Sequence, residues 1–131
     1  MRTIKFRGKK INRNGEWAYG DLRILPDRIL ILPQRSYDAA IDRDAVDETT
    51  LGQFTGLHDA KGNPIYEGDI VQNVLYKDFI YKVVYDDNRF ASFCMERNKD
   101  MFSHYFGEAM EAKDCEVIGN IHDNPELMKG E

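Results

Sequence analysis

The sequence has few of the residues that mark disulfide-bonded, metal-binding or membrane-spanning proteins. Its only two cysteines, Cys94 and Cys115, form no Cys-x-x-Cys motif and have no histidine at ligand spacing. They are therefore predicted to be buried free thiols. The longest purely aliphatic run, Ile29–Leu32, is far shorter than the roughly 20 apolar residues that cross a bilayer. The first residues lack the apolar region of a signal peptide, so we expect a cytoplasmic protein without membrane contact.

Familiar catalytic motifs are also absent. The chain contains no G-x-S-x-G, H-E-x-x-H or G-x-G-x-x-G motif and no phosphate-binding P-loop. His58-Asp59 and His122-Asp123 each place a base beside a carboxylate, but both pairs lie in predicted turns. Aspartate is favoured in turns because its side chain bonds nearby backbone groups. The sequence therefore predicts a protein that is not an enzyme and that has no cofactor or metal site.

The charge is distributed unevenly along the 131 residues. The net charge is −5, yet residues 1–13 contain six of the 18 basic residues and no acidic one. The rest of the chain carries twelve basic and 23 acidic residues, a net charge of −11. A single basic edge on an otherwise acidic protein is the one electrostatic indication of a polyanionic partner.

The N-terminal part, residues 1–55, is predicted to be a β lobe. Residues 3–8 alternate between apolar and basic side chains, and Asn14-Gly15 then predicts a hairpin turn. The returning strand spans residues 16–25. A turn at Pro26-Asp27 leads to a short strand at 28–32, and a last strand fits 51–55. Residues 56–63 have turn chemistry throughout and are predicted to link two lobes.

The C-terminal part, residues 64–131, predicts a small SH3-like barrel packed with the N-terminal lobe. Strands are expected at 70–76, 80–85, 89–95 and 115–121, the first three joined by tight hairpins. Gly68 is expected to permit the backbone reversal that begins the barrel. Pro125 predicts the first position of a short final helix. The fold class is mainly β with minor α.

One segment departs from the β pattern. Apolar residues between Met101 and Met110 recur at the spacing of one face of a helix. This predicts a helical insertion near residues 101–112. A small barrel can bury only part of such a stripe, so Phe102, Tyr105 and Phe106 are predicted to form the contact of a homo-oligomer. The alternative is that these side chains fill the core.

Five blocks of sequence carry a resemblance to a known family. They are MRTIKFRGK at 1–9, GEWAYGDL at 15–22, GQFTGLHD at 52–59, IYEGDIV at 65–71 and EVIGNIHDNPEL at 116–127. In content and order they resemble the YopX family of phage and prophage proteins. The resemblance implies a phage or prophage setting, an SH3-type barrel in the C-terminal part and no established biochemical activity. No set of catalytic residues comes with it.

Two functions remain open. The first is a protein-interaction or self-assembly module, whose partner is another copy of the chain or an unknown phage or host protein. The second is weak nucleic-acid binding through Lys5, Arg7 and Lys9, with Trp17 or Tyr19 as stacking platforms. We favour the first, because lysines on an edge strand also serve to prevent edge-to-edge pairing.

Overall fold

Two antiparallel sheets make up nearly all of the regular structure. The computed structural model describes residues 4–11, 15–32, 45–86, 92–96, 104–105 and 111–128. The chain divides into two compact units, Met1–Phe54 and Thr55–Glu131. None of the helical segments among the described residues is long and apolar enough to cross a membrane.

The first unit is a sheet in which neighbouring strands are mostly consecutive in sequence. Its strands are β1 (Phe6–Lys9), β2 (Trp17–Ile24), β3 (Ile29–Leu32), β4 (Ala45–Val46) and the start of β5 (Gly52–His58), in the order β4-β3-β2-β1-β5. The predicted hairpin is confirmed: β1 pairs with β2, and Gly15 has a φ of 83° at its turn. A short 3₁₀ helix, Glu48–Thr50, precedes β5.

Strand β3 is buried on both faces and organises the core of the first unit. Ile31 packs with Ala18 and Val46 on one side of the sheet. On the other side, Leu30 and Leu32 pack with Ala45. The four apolar residues in a row that make up β3 match this double burial, since a strand covered on both faces has no polar positions.

The second unit contains the rest of β5 and six further strands. They are β6 (Pro64–Tyr66), β7 (Asp69–Asn73), β8 (Ile80–Asp86), β9 (Ser92–Glu96), β10 (His104–Tyr105) and β11 (Cys115–Asn120). β6 lies beside β5, and the other five form a sheet in the order β10-β9-β8-β7-β11. Gly68 has a φ of 94° where β6 turns into β7, as the sequence predicts. A 3₁₀ helix at Ala112–Asp114 and another at Pro125–Met128 complete the unit.

The structure bears on three predictions about the second unit. The described strands of the five-stranded sheet do not close into a barrel, so the predicted SH3-like barrel is not confirmed. The predicted linker 56–63 contributes Gly56, Leu57 and His58 to β5. The predicted helix at 101–112 is wrong at His104 and Tyr105, which pair with Met95 and Cys94 of β9. Pairing with a neighbouring strand outweighs the local helical spacing there; residues 101–103 and 106–110 lie outside the described residues.

The core of the second unit lies on one face of its five-stranded sheet. Tyr81 and Val83 of β8 are buried among Val71, Phe93 and Met95. The predicted inward face of β8 is therefore confirmed for these two residues. Tyr85, at the end of the strand, is 40% exposed and packs edge-on against Phe93, with 5.1 Å between the ring centroids.

Cys115 is a buried free thiol in this core, as predicted. Its Sγ lies 3.1 Å from the carbonyl oxygen of Ala112, to which it donates a hydrogen bond. Burial, together with the nearby carboxylates of Asp59 and Asp114, raises the pKa of the thiol to about 12. The thiol is therefore protonated at neutral pH and unreactive. The side chain of Cys94 lies outside the described residues.

Asp59 fastens the turn after β5 to the edge strand β11. Its Oδ1 accepts hydrogen bonds from the backbone N–H groups of Lys61 (2.9 Å) and Asn63 (2.8 Å). Its Oδ2 accepts one from the N–H of Val117, at 2.9 Å. Burial acts to raise the pKa of this carboxyl, but the hydrogen bonds from Val117, Asn63 and Lys61 hold it below its ordinary value of 3.8. The turn role predicted for this residue is confirmed.

The buried face of β8 gives the first testable prediction. Val83→Asp places an unpaired carboxylate at a position with no solvent exposure, and we expect the free energy of unfolding to fall by several kcal/mol. Val84→Asp is the matched control, because Val84 is only half-buried and points to the other side of the strand. Thermal melting monitored by circular dichroism measures both; a Val83→Asp variant that melts like Val84→Asp contradicts the assignment.

The bonds of Asp59 give the second prediction. In Asp59→Asn, an NH₂ group replaces Oδ2 and faces the N–H of Val117, so we expect a loss of about 1–3 kcal/mol at pH 7. The folded-state pKa is lowered, so the carboxylate stabilises the protein above its unfolded pKa and stops doing so as pH falls through the folded pKa. Urea unfolding between about pH 5 and pH 2 should therefore show a steeper loss of stability in wild type than in Asp59→Asn. Glu126→Gln, at an exposed carboxylate, serves as the control, and equal slopes in wild type and Asp59→Asn refute the prediction.

Candidate functional site

The predicted nucleic-acid residues alternate in sequence, with Lys5 just before β1 and Arg7 and Lys9 within it, and each has its cation over an aromatic ring. Lys5 Nζ lies 5.2 Å from the centroid of the Phe54 ring. Arg7 Cζ lies 4.8 Å and Lys9 Nζ 5.9 Å from the ring of Trp17. Because each cation and its ring belong to the same chain, these cation–π contacts stabilise the first unit itself.

This arrangement limits what the basic strand can offer to a polyanion. Arg7 is only 5% exposed, so its charge faces the protein, whereas Lys5 and Lys9 are half-buried. Trp17, one of the two predicted stacking platforms, already has Arg7 and Lys9 over its ring. Tyr19 is 50% exposed and lies opposite Arg7 in the β1–β2 pairing.

The predicted oligomer contact is described at one residue only. Tyr105 lies in β10, at the edge of the second sheet, with its backbone opposite Cys94. Phe102 and Phe106 lie outside the described residues, so the contact itself stays a prediction. Within the described part of the chain, no three His, Cys, Asp or Glu side chains are grouped closely enough to hold a metal ion.

An exposed apolar loop between β7 and β8 emerges only from the structure. Leu75 is 79% exposed, Tyr76 64% and Phe79 40%. The rings of Tyr76 and Phe79 meet edge to face, with 6.2 Å between centroids. We call residues 74–79 the knob. Apolar side chains grouped on the surface in this way mark protein-interaction sites more often than isolated ones do.

Hydrogen bonds connect the backbone of the knob to Asn73 and to the chain just before β11. Asn73 Oδ1 accepts from the N–H groups of both Leu75 and Tyr76, each at 2.9 Å. The N–H of Phe79 donates to the carbonyl of Tyr76, and the N–H of Asn73 donates to the carbonyl of Phe79. The N–H of Val74 donates to the carbonyl of Asp114, at 2.9 Å. A loop fixed in this way loses little conformational entropy when a partner binds its side chains.

A concave surface in the first unit is the second feature that the sequence did not reveal. This cleft, of about 850 Å³, lies between the end of β1, the β2–β3 turn and the start of the first 3₁₀ helix. Its apolar lining comprises Ile11, Ile24, Leu25, Pro26, Ile29 and Val46. Its charged lining comprises Lys9, Lys10, Arg28, Asp27, Asp47 and Glu48.

Backbone hydrogen bonds join the walls of the cleft. The N–H of Asp47 donates to the carbonyl of Lys9 at 2.8 Å, and the N–H of Ile11 donates to that of Ala45 at 3.0 Å. The β2–β3 turn is closed by the N–H of Leu25, which donates to the carbonyl of Arg28. The concave shape is therefore built into the pairing of the first sheet.

Several charges at the cleft are compensated within the chain. Arg28 binds the carboxylate of Asp27 through two hydrogen bonds, at 2.9 and 3.3 Å. Lys10 Nζ pairs with Glu16 at 3.2 Å. Asp47 accepts from the N–H and the hydroxyl of Thr49. At the rim, Ile24 is 71% and Ile11 57% exposed, so the cleft also presents apolar side chains to solvent.

A sequence signal for the knob does exist, although it is weak. Leu75, Tyr76 and Phe79 flank Lys77-Asp78, the pair predicted as a tight turn. The predicted strand 70–76 absorbs Leu75 and Tyr76, but β7 ends at Asn73. Apolar residues on both sides of a turn fit equally well into the flanking strands or into an exposed loop. Only the observed end of β7 shows that Leu75 and Tyr76 belong to the loop.

Comparison with known proteins places the chain in a family. No curated protein matched the sequence significantly. Among solved structures, the chain is similar to the crystal structure of protein EF1440 from Enterococcus faecalis, with 25% sequence identity and a TM-score of 0.55. That similarity covers 98% of this chain and 99% of the other. The YopX protein family matches residues 5–129, nearly the whole sequence, and the chain therefore belongs to the YopX family.

Proposed function

We propose that this protein is a non-enzymatic self-assembly module, acting in the cytoplasm of a phage-infected or lysogenic cell. The observation that carries the proposal is the knob, a hydrogen-bonded loop that presents Leu75, Tyr76 and Phe79 to solvent. Aromatic residues fixed at an exposed position are the usual anchors of protein interfaces. The phage setting rests on the resemblance of the sequence blocks to the YopX family.

The composition of the knob favours a protein partner over a nucleic acid. Its only charged residues are Lys77 and Asp78, which carry opposite charges. A nucleic-acid interface needs a cluster of cations to neutralise phosphates, and the knob has no such excess. A mixed patch with an aromatic centre and charges at its rim is typical of contacts between proteins.

The third prediction tests assembly through the knob. Light scattering coupled to size exclusion should give a wild-type mass well above 15.2 kDa at micromolar concentration. Leu75→Asp combined with Tyr76→Asp should shift the mass toward 15.2 kDa, because buried charges oppose the contact while the knob backbone keeps its hydrogen bonds. Far-ultraviolet circular dichroism should remain that of wild type.

A matched control separates a knob effect from a general effect of added charge. Ile4→Asp combined with Leu57→Asp changes two exposed apolar residues outside the knob and should assemble as wild type does. A monomeric wild type, or a knob variant with the wild-type mass, contradicts the proposal. Phe102→Glu with Phe106→Glu tests the predicted stripe contact separately.

The fourth prediction concerns the alternative function. With Arg7 buried, we expect the basic strand to bind DNA or RNA at most weakly, with a Kd on the order of 10⁻⁴–10⁻⁶ M and a strong dependence on salt. Fluorescence anisotropy with a labelled oligonucleotide, titrated with salt, measures this. Lys5→Gln combined with Lys9→Gln should weaken any binding that occurs, and Lys77→Gln should not. Sequence-selective binding that survives about 200 mM salt establishes the alternative function instead.

A further inference from the structure

We infer that the cleft of one copy receives the knob of a second copy. The inference rests on the proposed self-assembly and specifies its two contacting surfaces. The occupant of the cleft is thus residues 74–79 of another chain, with the side chains of Leu75 and Tyr76 entering between the apolar walls.

The distribution of exposed apolar side chains is the first argument. Among the described residues, nine large hydrophobic side chains are exposed, and five of them belong to the knob or the cleft rim. They are Leu75, Tyr76 and Phe79 in the knob, with Ile11 and Ile24 at the rim. A contact between the two surfaces removes all five from water together.

Shape is the second argument. The knob is an exposed loop tied down at Asn73, whereas the cleft is concave and framed by the pairing of β1 with the chain around Ala45–Asp47. Its volume of about 850 Å³ falls within the range of pockets that enclose small ligands, roughly 300–1,000 Å³. The cleft therefore has room for a pair of large side chains such as Leu75 and Tyr76.

Charge is the third argument. The cleft lining has three basic and three acidic residues, and the knob has one of each, so neither surface repels the other through a net charge. Arg28 is already neutralised by Asp27, which makes the cleft a poor site for a free anion.

The consequence is a contact between unlike surfaces. The knob belongs to the unit Thr55–Glu131 and the cleft to the unit Met1–Phe54, so each copy has one of each to offer. A contact of this type produces a closed ring or an open filament when each pair of copies shares one contact, and a two-fold dimer when each copy places its knob in the cleft of the other.

A complementation experiment tests the inference. The knob variant is Leu75→Asp with Tyr76→Asp, and the cleft variant is Ile24→Asp, a change at a residue 71% exposed. Each variant alone should associate at least about tenfold more weakly than wild type, as expected when an interface anchor is lost. An equimolar mixture should form a species of twice 15.2 kDa, because the intact knob of one variant enters the intact cleft of the other.

The outcomes distinguish the inference from the proposed function. If the cleft variant assembles as wild type does, or if the mixture forms no heterodimer although the knob variant is monomeric, the cleft is not the acceptor and knob-mediated assembly stands. If the knob variant assembles as wild type does, the proposed function itself is wrong. The control mixes the knob variant with a chain that carries Leu75→Asp, Tyr76→Asp and Ile24→Asp together; this mixture should form no heterodimer, because neither chain has an intact knob.

Discussion

The buried carboxylate of Asp59 is the interaction on which the second unit depends most directly. It accepts hydrogen bonds from the backbone N–H groups of Lys61 and Asn63 in its own turn and from that of Val117, 58 residues further along the chain. β11 is an edge strand, whose outward N–H groups need a partner. The Asp59 carboxylate supplies one, and the carbonyl of Cys115 on the same strand accepts from the N–H of Ala60. An edge tied down in this way is less available for pairing with another chain.

The knob is connected to this arrangement through the backbone. β11 pairs with β7, with Cys115 opposite Asn73, the residue whose side chain holds the knob. Just before β11, the carbonyl of Asp114 accepts from the N–H of Val74. The position of the exposed aromatic residues is therefore set by the same strand that Asp59 secures. Rigid support under exposed apolar side chains is what an interface requires, since preorganisation reduces the entropy lost on binding.

The basic N-terminal segment shows how one charge pattern serves either binding or stability. The clustering of cations before residue 14 indicates an electropositive edge when only the sequence is considered. In the folded chain, Arg7 and Lys9 lie over the ring of Trp17, and Lys5 lies over Phe54. Much of that charge is therefore used in contacts within the first unit. Whether such cations are open to a partner or held within the chain depends on which aromatic rings lie beneath them. The register of the neighbouring strands decides which rings these are.

The sequence by itself determined the features that depend on local chemistry. Alternation predicted the inward face of β8 at Tyr81 and Val83, Asn-Gly predicted the first hairpin, and glycine at position 68 predicted a positive φ. Family membership was also evident from five short blocks of sequence, and the family match covers residues 5–129.

Only the tertiary structure decided the features that depend on distant partners. His104 and Tyr105 lie in a strand despite helical spacing because β9 offers them backbone hydrogen bonds. β7 ends at Asn73, whose side-chain oxygen accepts from the N–H groups of Leu75 and Tyr76, and the side chains of these two residues lie in solvent. The cleft unites residues 9–11, 24–29 and 46–48, which come together through strand pairing alone. Sequence patterns record the preferences of neighbouring residues, whereas pairing between strands far apart in the chain depends on the whole sheet.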